Sequence, residues 1–379
     1  MYYETQLSVI VNNQTISTIV KIDFKNYATQ VGASCDITVP LNSYIEYSDP
    51  NTKLVYLTAI RSDMFPQGSV VEVKASYIEN GTQLPTREVF SGFVYDFIVG
   101  MPLTIKCLDY IYWFNLGIFG DNQVSTTNKA GTKIKNSGTG VNYKSISFQA
   151  LLQNLINFVN VNIANSGTNA LPVSLILPIF DMPLVNITFI NMSPAAILEW
   201  FKKELGINIT FIKNQLYVNV ASNTIGSINL STKVNVLKSD LQTNLAAFQQ
   251  IRMKCWFVQP NGTRSWVEVG STTGIQEQHF FYKVANVGNT YNRLANEALL
   301  KAQQHHYKGE LELLLYPICD LFYIVNYLDA RYPEKNGQYY IIGINIVLSE
   351  KGFRQHIKVA WLNLPTYTYL TTGKAVLSS

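Results

Sequence analysis

Leu103-Thr-Ile-Lys-Cys-Leu108 and His356-Ile-Lys-Val-Ala-Trp361 are the two stretches on which the fold turns. Leu103, Ile105 and Cys107 alternate with Thr104 and Lys106. Ile357, Val359 and Trp361 alternate with His356 and Lys358. A period of two marks a strand with one buried face. Each stretch follows a long apolar run and a break: Gly92–Val99 then Gly100-Met-Pro102, and Tyr339–Leu348 then Ser349-Glu-Lys-Gly352. Two β regions thus end in similar long hairpins, a weak internal repeat.

Residues 1–113 supply the strands of the first region. Leu7–Val11, Ile16–Ile22, Cys35–Val39, Val70–Tyr77 and Val89–Val99 are rich in Val, Ile, Tyr and Phe. Turn clusters such as Asn12-Asn13 and Pro66-Gln-Gly68 separate them. Short strands without a helical period indicate a barrel or sandwich. Residues 236–362 return to strands, with helical spacing at Leu294, Ala298, Lys301 and His305 and a stop at Gly309. Between the two regions the period changes. Ser147 caps a stripe of Phe148, Leu151, Leu152, Leu155 and Val159; Ser193 and Pro194 open a second helix that Gly206 stops. A hairpin turning at Lys213-Asn214 completes a small α/β unit.

The expected fold class is mainly β with an α/β insert (α+β): two tube-type β-barrels joined by a small α/β domain. The expected boundaries are a first barrel over 1–115, a polar linker over 116–145, the α/β domain over 146–235, and a second barrel over 236–364 with a helix at about 290–307. A polar tail occupies 365–379.

Composition narrows the function. Apolar residues make up 47% of the 379, enough for sizeable cores, while charged residues are only 14%, against a typical ~25%. A surface poor in charge and rich in Tyr (23 of them) suits extensive burial against other proteins. The excess of 29 basic over 25 acidic residues gives +4, too weak a balance for general nucleic-acid binding. Cys35, Cys107, Cys255 and Cys319 lack metal-ligand spacing and the density of a disulfide scaffold, which points to assembly in a reducing cytosol. No basic leader and no run of ~20 apolar residues is present, so neither targeting nor membrane insertion is expected.

Several chemical motifs fail on inspection. Gly138-Thr-Gly-Val-Asn-Tyr-Lys-Ser145 approaches a phosphate loop, but Tyr143 stands where the second glycine is needed. His305 and His306 point about 100° apart on a helix and cannot share a metal there. Glu310 and Glu312 share a strand face about 6–7 Å apart, a spacing compatible with a glycosidase pair, without any accompanying cleft signal. Lys129, Lys133, Lys135 and Lys144 lack the interleaved aromatics of a single-strand binder. No catalytic site, metal or cofactor is expected. Trp256 and Trp266 keep open the alternative of a β-rich carbohydrate-binding or adhesion module.

Four stretches in order resemble the hub proteins of phage tails. They are Val89-Phe-Ser-Gly-Phe-Val-Tyr-Asp96 with Leu103–Asp109; Ser193–Gly206 with the Asn214-Gln-Leu-Tyr-Val-Asn-Val220 hairpin; the Asn292–Tyr307 helix entering Gly309-Glu-Leu-Glu-Leu313; and Gly337–Asn345 with Phe353–Val359. The chain looks like the baseplate hubs of contractile tails, the late control protein D family and the N-terminal part of type VI secretion spike proteins. It departs at Tyr316-Pro-Ile-Cys-Asp320, where members often carry a glycine. Unlike some members, the chain is expected to carry no lysozyme or peptidase domain.

The resemblance implies a virion protein of the tail tip or baseplate, assembled in the host cytoplasm as a homotrimer. Two barrels per subunit would give a pseudo-sixfold ring. Its partners would be a hexameric tail tube protein, a trimeric spike or tip protein, the tape measure protein, and DNA passing without sequence-specific binding. Lys106, His356 and Lys358, on the polar faces of the final strands, are then the candidate channel-facing residues; strand alternation alone fits an ordinary outer face equally well.

Overall fold

The structure, a computed structural model, describes residues 3–16, 18–40, 44–48, 55–59, 65–79, 82–83, 85–120, 140–176, 181–205, 207–219, 226–243, 251–258, 263–286, 289–303, 307–314, 316–349 and 352–361. Sequence readings at Gly206, at His305 and His306, over 121–139 and over 365–379 fall outside them.

The first β region contains β1 (Tyr3–Val11), β2 (Gln14–Ile16), β3 (Lys21–Tyr27), β4 (Ser34–Val39), β5 (Tyr44–Ser48), β6 (Val55–Ala59), β7 (Val70–Glu79), β8 (Thr82–Gln83), β9 (Arg87–Ile98) and β10 (Leu103–Leu108). After α1 (Ile111–Asn115) come β11 (Gly140–Ser147), α2 (Phe148–Asn165), β12 (Ser174–Ile176), β13 (Pro183–Ile190), α3 (Pro194–Leu205), β14 (Asn208–Ile212) and β15 (Gln215–Asn219). The chain continues through β16 (Ser227–Ser231), β17 (Val236–Thr243), β18 (Ile251–Val258), β19 (Arg264–Gly270), β20 (Ile275–Tyr282) and α4 (Thr290–Gln303). It ends in β21 (Tyr307–Leu314), β22 (Ile324–Leu328), β23 (Gly337–Ser349) and β24 (Gly352–Trp361).

Both β regions join one sheet, ordered β17-β21-β24-β23-β3-β4-β10-β9-β7-β1-β2-β5-β6. They meet where β3 pairs antiparallel with Gly343–Ser349 of β23, while β22 pairs with Gly337–Tyr340 of the same strand. Side chains alternate across this sheet. Ile22, Phe24, Ile37, Ile105, Leu311, Ile344 and Ile357 point into a single core shared by both regions. Sequence reading expects each region to close as a barrel. Among the described residues no pairing of β1 with β3, or of β16 with β17, closes either. For β3 the reason is physical: a strand has two edges, and β4 and β23 occupy both.

A second core holds the α/β elements. Ser147 Oγ accepts the Ala150 N–H at 3.1 Å and Ser193 Oγ the Ala196 N–H at 3.2 Å, so both predicted caps form. The stripe from Phe148 to Val159 is buried, as are Ile197, Leu198, Phe201 and Leu205. Three features differ from the sequence reading. Residues 251–303 were expected in the second barrel; β18–β20 form a separate sheet, and with α4 they pack into the α/β core. Their alternation signals a buried face without saying what covers it. Val141 and Tyr143, expected in the linker, are buried on β11, which pairs with β13. The helix expected over about 290–307 is described from Thr290 to Gln303, Tyr307 already belongs to β21, and Gly309 lies inside that strand, where a Cβ would run into the Asp240 carbonyl.

The two cores are clamped at the β3–β4 turn. Glu199 on α3 accepts the Val31 N–H at 2.7 Å, and Lys202 donates to the Gln30 carbonyl. Nearby, the buried Asp109 carboxyl accepts the Ala33 N–H at 2.7 Å and the Ile111 N–H at 2.9 Å, joining β4 to α1. Burial pushes Asp109 up to about 7, although both amide bonds oppose this.

Two outcomes are expected. The folded state holds the Asp109 proton more tightly than the unfolded chain, so its contribution to stability is full below 3.8 and is lost as pH rises towards 7. Urea unfolding of wild type against Asp109→Asn should show their difference changing across that window; a pH-independent difference would refute the assignment. At the junction, a Cβ on Gly343 would approach the Tyr27 ring to 2.7 Å. Gly343→Val should cost about 1–3 kcal/mol. Adding Tyr27→Ala should recover part of that loss in the same assay.

Candidate functional site

The large sheet turns one face to the shared core and the other away from it. The outer face of β3 carries Lys21, Asp23 and Lys25; β4 carries Asp36; β10 carries Lys106; and the end of β9 carries Asp96. Beyond the junction, β24 carries Arg354, His356 and Lys358, β21 carries Lys308, Glu310 and Glu312, and β17 carries Lys238 and Asp240. A charge-poor chain thus concentrates charge on one surface, with the signs nearly balanced. All three sequence-predicted residues, Lys106, His356 and Lys358, lie on it.

Most of its cations have a defined neighbour. Lys21 and Lys25 reach Asp23 at 3.1 and 3.2 Å, and the hydrogen bond to Asp23 raises Lys25 above the ordinary lysine range. His356 Nδ1 lies 3.0 Å from Glu310 Oε1, Arg354 3.6 Å from Glu312, and Lys106 3.9 Å from Asp96. The Lys358 ammonium sits 5.1 Å from the centre of the Tyr27 ring. The carboxylate partners Asp23, Asp36 and Asp96 were not singled out in the sequence. Asp23 and Asp36 carry the same period-two alternation that marked Lys106, whereas Asp96, beside the β9 bulge, does not.

Pairing across the sheet repeats. Asp23 faces Asp36, which faces Lys106, which faces Asp96. In the second region Asp240 faces Glu310, which faces Lys358, which faces Gly343. Each hairpin carries a one-residue bulge at the same step, Tyr95 in β9 and Ile342 in β23. Just before it, Val94 exchanges backbone bonds with Gly68 and Ser69 at 2.8 and 2.9 Å. Ile341 does the same with Phe322 and Tyr323 at 3.0 and 3.1 Å. Two four-strand modules, β3-β4-β10-β9 and β17-β21-β24-β23, therefore share one pairing scheme down to the bulge.

No protein-family profile matches the sequence, and no curated protein is similar to it. Solved structures are similar along nearly the whole chain. The 43 kDa tail protein of prophage MuSo2 from Shewanella oneidensis aligns over 94% of this chain and 98% of its own, with TM-score 0.55 and 13% identity. The tail protein from Neisseria meningitidis MC58 aligns over 94% and 96%, with TM-score 0.56 and 11% identity. Prophage tail protein gp18 from Listeria monocytogenes EGD-e aligns over 93% and 94%, with TM-score 0.50 and 11% identity. The fold is that of phage tail proteins.

Within this tail-protein fold, the features that suggested enzymes or sugar binding have defined neighbours. Glu310 and Glu312 do share a face, paired with His356 and Arg354 on an open sheet. Trp256 and Trp266 are cross-strand neighbours, and the Lys254 ammonium lies 4.6 and 4.4 Å from their ring centres, taking a face of each indole. Among the described residues no His, Cys, Asp and Glu cluster has the makings of a metal site. All four cysteines are buried free thiols; burial raises each pKa, that of Cys255 to about 12. A cavity of about 400 Å³ between the β3–β4 turn and α3 offers Glu199, already engaged by Val31.

The balance of the outer face has a measurable consequence. Replacing Asp36, Glu310 and Glu312 together by their amides removes three of its negative charges and leaves an excess of cations. Binding to double-stranded DNA, read by fluorescence anisotropy, should then strengthen. The slope of log K against log salt should steepen by about 0.9 per added phosphate contact. A slope equal to that of wild type would show that this face does not meet nucleic acid.

Proposed function

We propose that the chain is a structural hub of a phage tail: a homotrimer that adapts a hexameric tail tube to a trimeric spike or tip and lines the channel for DNA. The observation that carries this reading is the repeated module. Each chain holds two four-strand modules with equivalent pairing and an equivalent bulge. Three chains then present six modules, converting threefold into approximate sixfold symmetry at a joint between unlike rings. The tube-type barrels anticipated from sequence become, in this reading, modules of one ring wall. The fold shared with phage tail proteins supports the setting in the virion tail tip or baseplate.

The outer charged face, with Lys106, His356 and Lys358, lines the bore. Cations held by neighbouring carboxylates give DNA little net attraction, so it passes without being retained. The tail tube protein, the tape measure protein and the spike or tip protein are the expected partners. The role is mechanical and non-enzymatic.

Light scattering coupled to size-exclusion chromatography should give three times the protomer mass, and negative-stain images should show a ring with a central opening. A monomer at micromolar concentration, or a closed particle without an opening, would overturn the reading.

A further inference from the structure

A cavity of about 130 Å³ lies where three parts of the chain meet. The first β region supplies Asn26, Glu88 and Asp109, the β14–β15 hairpin of the α/β unit supplies Thr210 and Lys213, and the β21–β22 loop supplies Asp320. The floor is closed: Asn26, Asp109 and Thr210 are 8%, 6% and 1% exposed. Asn26 Oδ1 and Thr210 Oγ1 are buried there, and among the described residues neither has a hydrogen-bond partner. Each such atom destabilises the closed arrangement, because it has left water without finding a replacement. At the rim the Lys213 ammonium reaches across from the hairpin to Glu88 of β9, 3.6 Å away.

We propose that this cavity is a proton-controlled joint: the β14–β15 hairpin seals it while Asp109 is protonated, and lifts to admit water when Asp109 ionises. The charges around it argue for this. Ionised, Asp109 shares the cavity with Asp320 and Glu88, so three carboxylates face one ammonium, Lys213. Burial raises Asp320 too, against the opposing hydrogen bond from Tyr323 and the charge of Lys213, so both buried acids favour the protonated, closed form. Tyr110, next to Asp109, is raised further by burial and stays neutral. The other lining residues carry no ionisable group. Opening hydrates Asn26 Oδ1 and Thr210 Oγ1 in the same step, which lowers its cost. β14 and β15 are paired to each other, so the hairpin can move as a unit with its own ladder intact. The direction follows from Asp109, which burial pushes up to about 7: the joint is closed below that pH and opens as pH rises through it. The device lies within one chain and needs no assumption about the number of copies.

Hydroxyl-radical footprinting of the full chain, read by mass spectrometry, tests this without a label. Phe90 and Phe211 line the cavity and are 4% and 5% exposed. Their oxidation should rise several-fold from about pH 6 to about pH 8, while Phe148 and Phe201, inside the α/β core, stay protected. Asp109→Asn, which cannot ionise, should abolish the rise. Thr210→Val removes an unpaired hydroxyl at nearly constant shape and should move the rise to higher pH. If Asp109→Asn exposes Phe201, it has lost its fold, and wild type with Thr210→Val decides. Equal protection of Phe90 and Phe211 at both pH values in wild type would overturn the proposal. So would a rise shared by Phe148 and Phe201, which is global unfolding, or a rise that Thr210→Val leaves in place.

Discussion

The ladder between β3 and β23 is the contact on which the rest of the architecture depends. A strand edge presents a row of amide donors and carbonyl acceptors that must find partners. Closing a small barrel would satisfy the β3 edge locally. Here β23 satisfies it instead, so the two β regions share a sheet and a core. The bulge at Ile342 makes this possible. It divides β23 into a part that serves its own module through β22 and a part that serves the other through β3. Gly343, just past the bulge, leaves room for the Tyr27 ring at that crossing.

That ladder also determines what the outer face is. Once the modules align, their charged rows lie side by side, Asp23-Asp36-Lys106 continuing the pattern of Asp240-Glu310-Lys358. Individual surface ion pairs of this kind contribute little to stability, ~0–1 kcal/mol each. Their effect is on the potential of the surface, which stays close to neutral.

Much of this was legible in the sequence, for identifiable reasons. The alternation in Leu103–Leu108 and His356–Trp361 marked the repeat, since side-chain period reports a half-buried strand directly. Ser147, Ser193 and Pro194 marked two helix starts because capping is local chemistry. What stayed hidden depends on partners far away in the chain. Ile251, Met253, Cys255 and Phe257 announce a buried face, and only packing shows that the α/β elements bury it. Tyr143 looked like part of a polar linker because its hydroxyl and its polar neighbours mask a ring that is buried. The β3–β23 junction leaves least trace of all, because backbone hydrogen bonds carry no side-chain signature. The ion pairs of the outer face are similarly a product of register, so Lys106 was visible and Asp96 beside it was not.

The route of the chain through the α/β unit has a mechanical corollary. The polypeptide leaves the large sheet after β10, returns at β16, leaves again after β17 and returns at β21. The unit is therefore leashed by several separate covalent crossings, and the grip of Glu199 and Lys202 on the β3–β4 turn adds a non-covalent one. A body held at one point swivels; a body held at several spaced points resists torque in every direction. Several connections are thus available to share a force applied to the α/β unit.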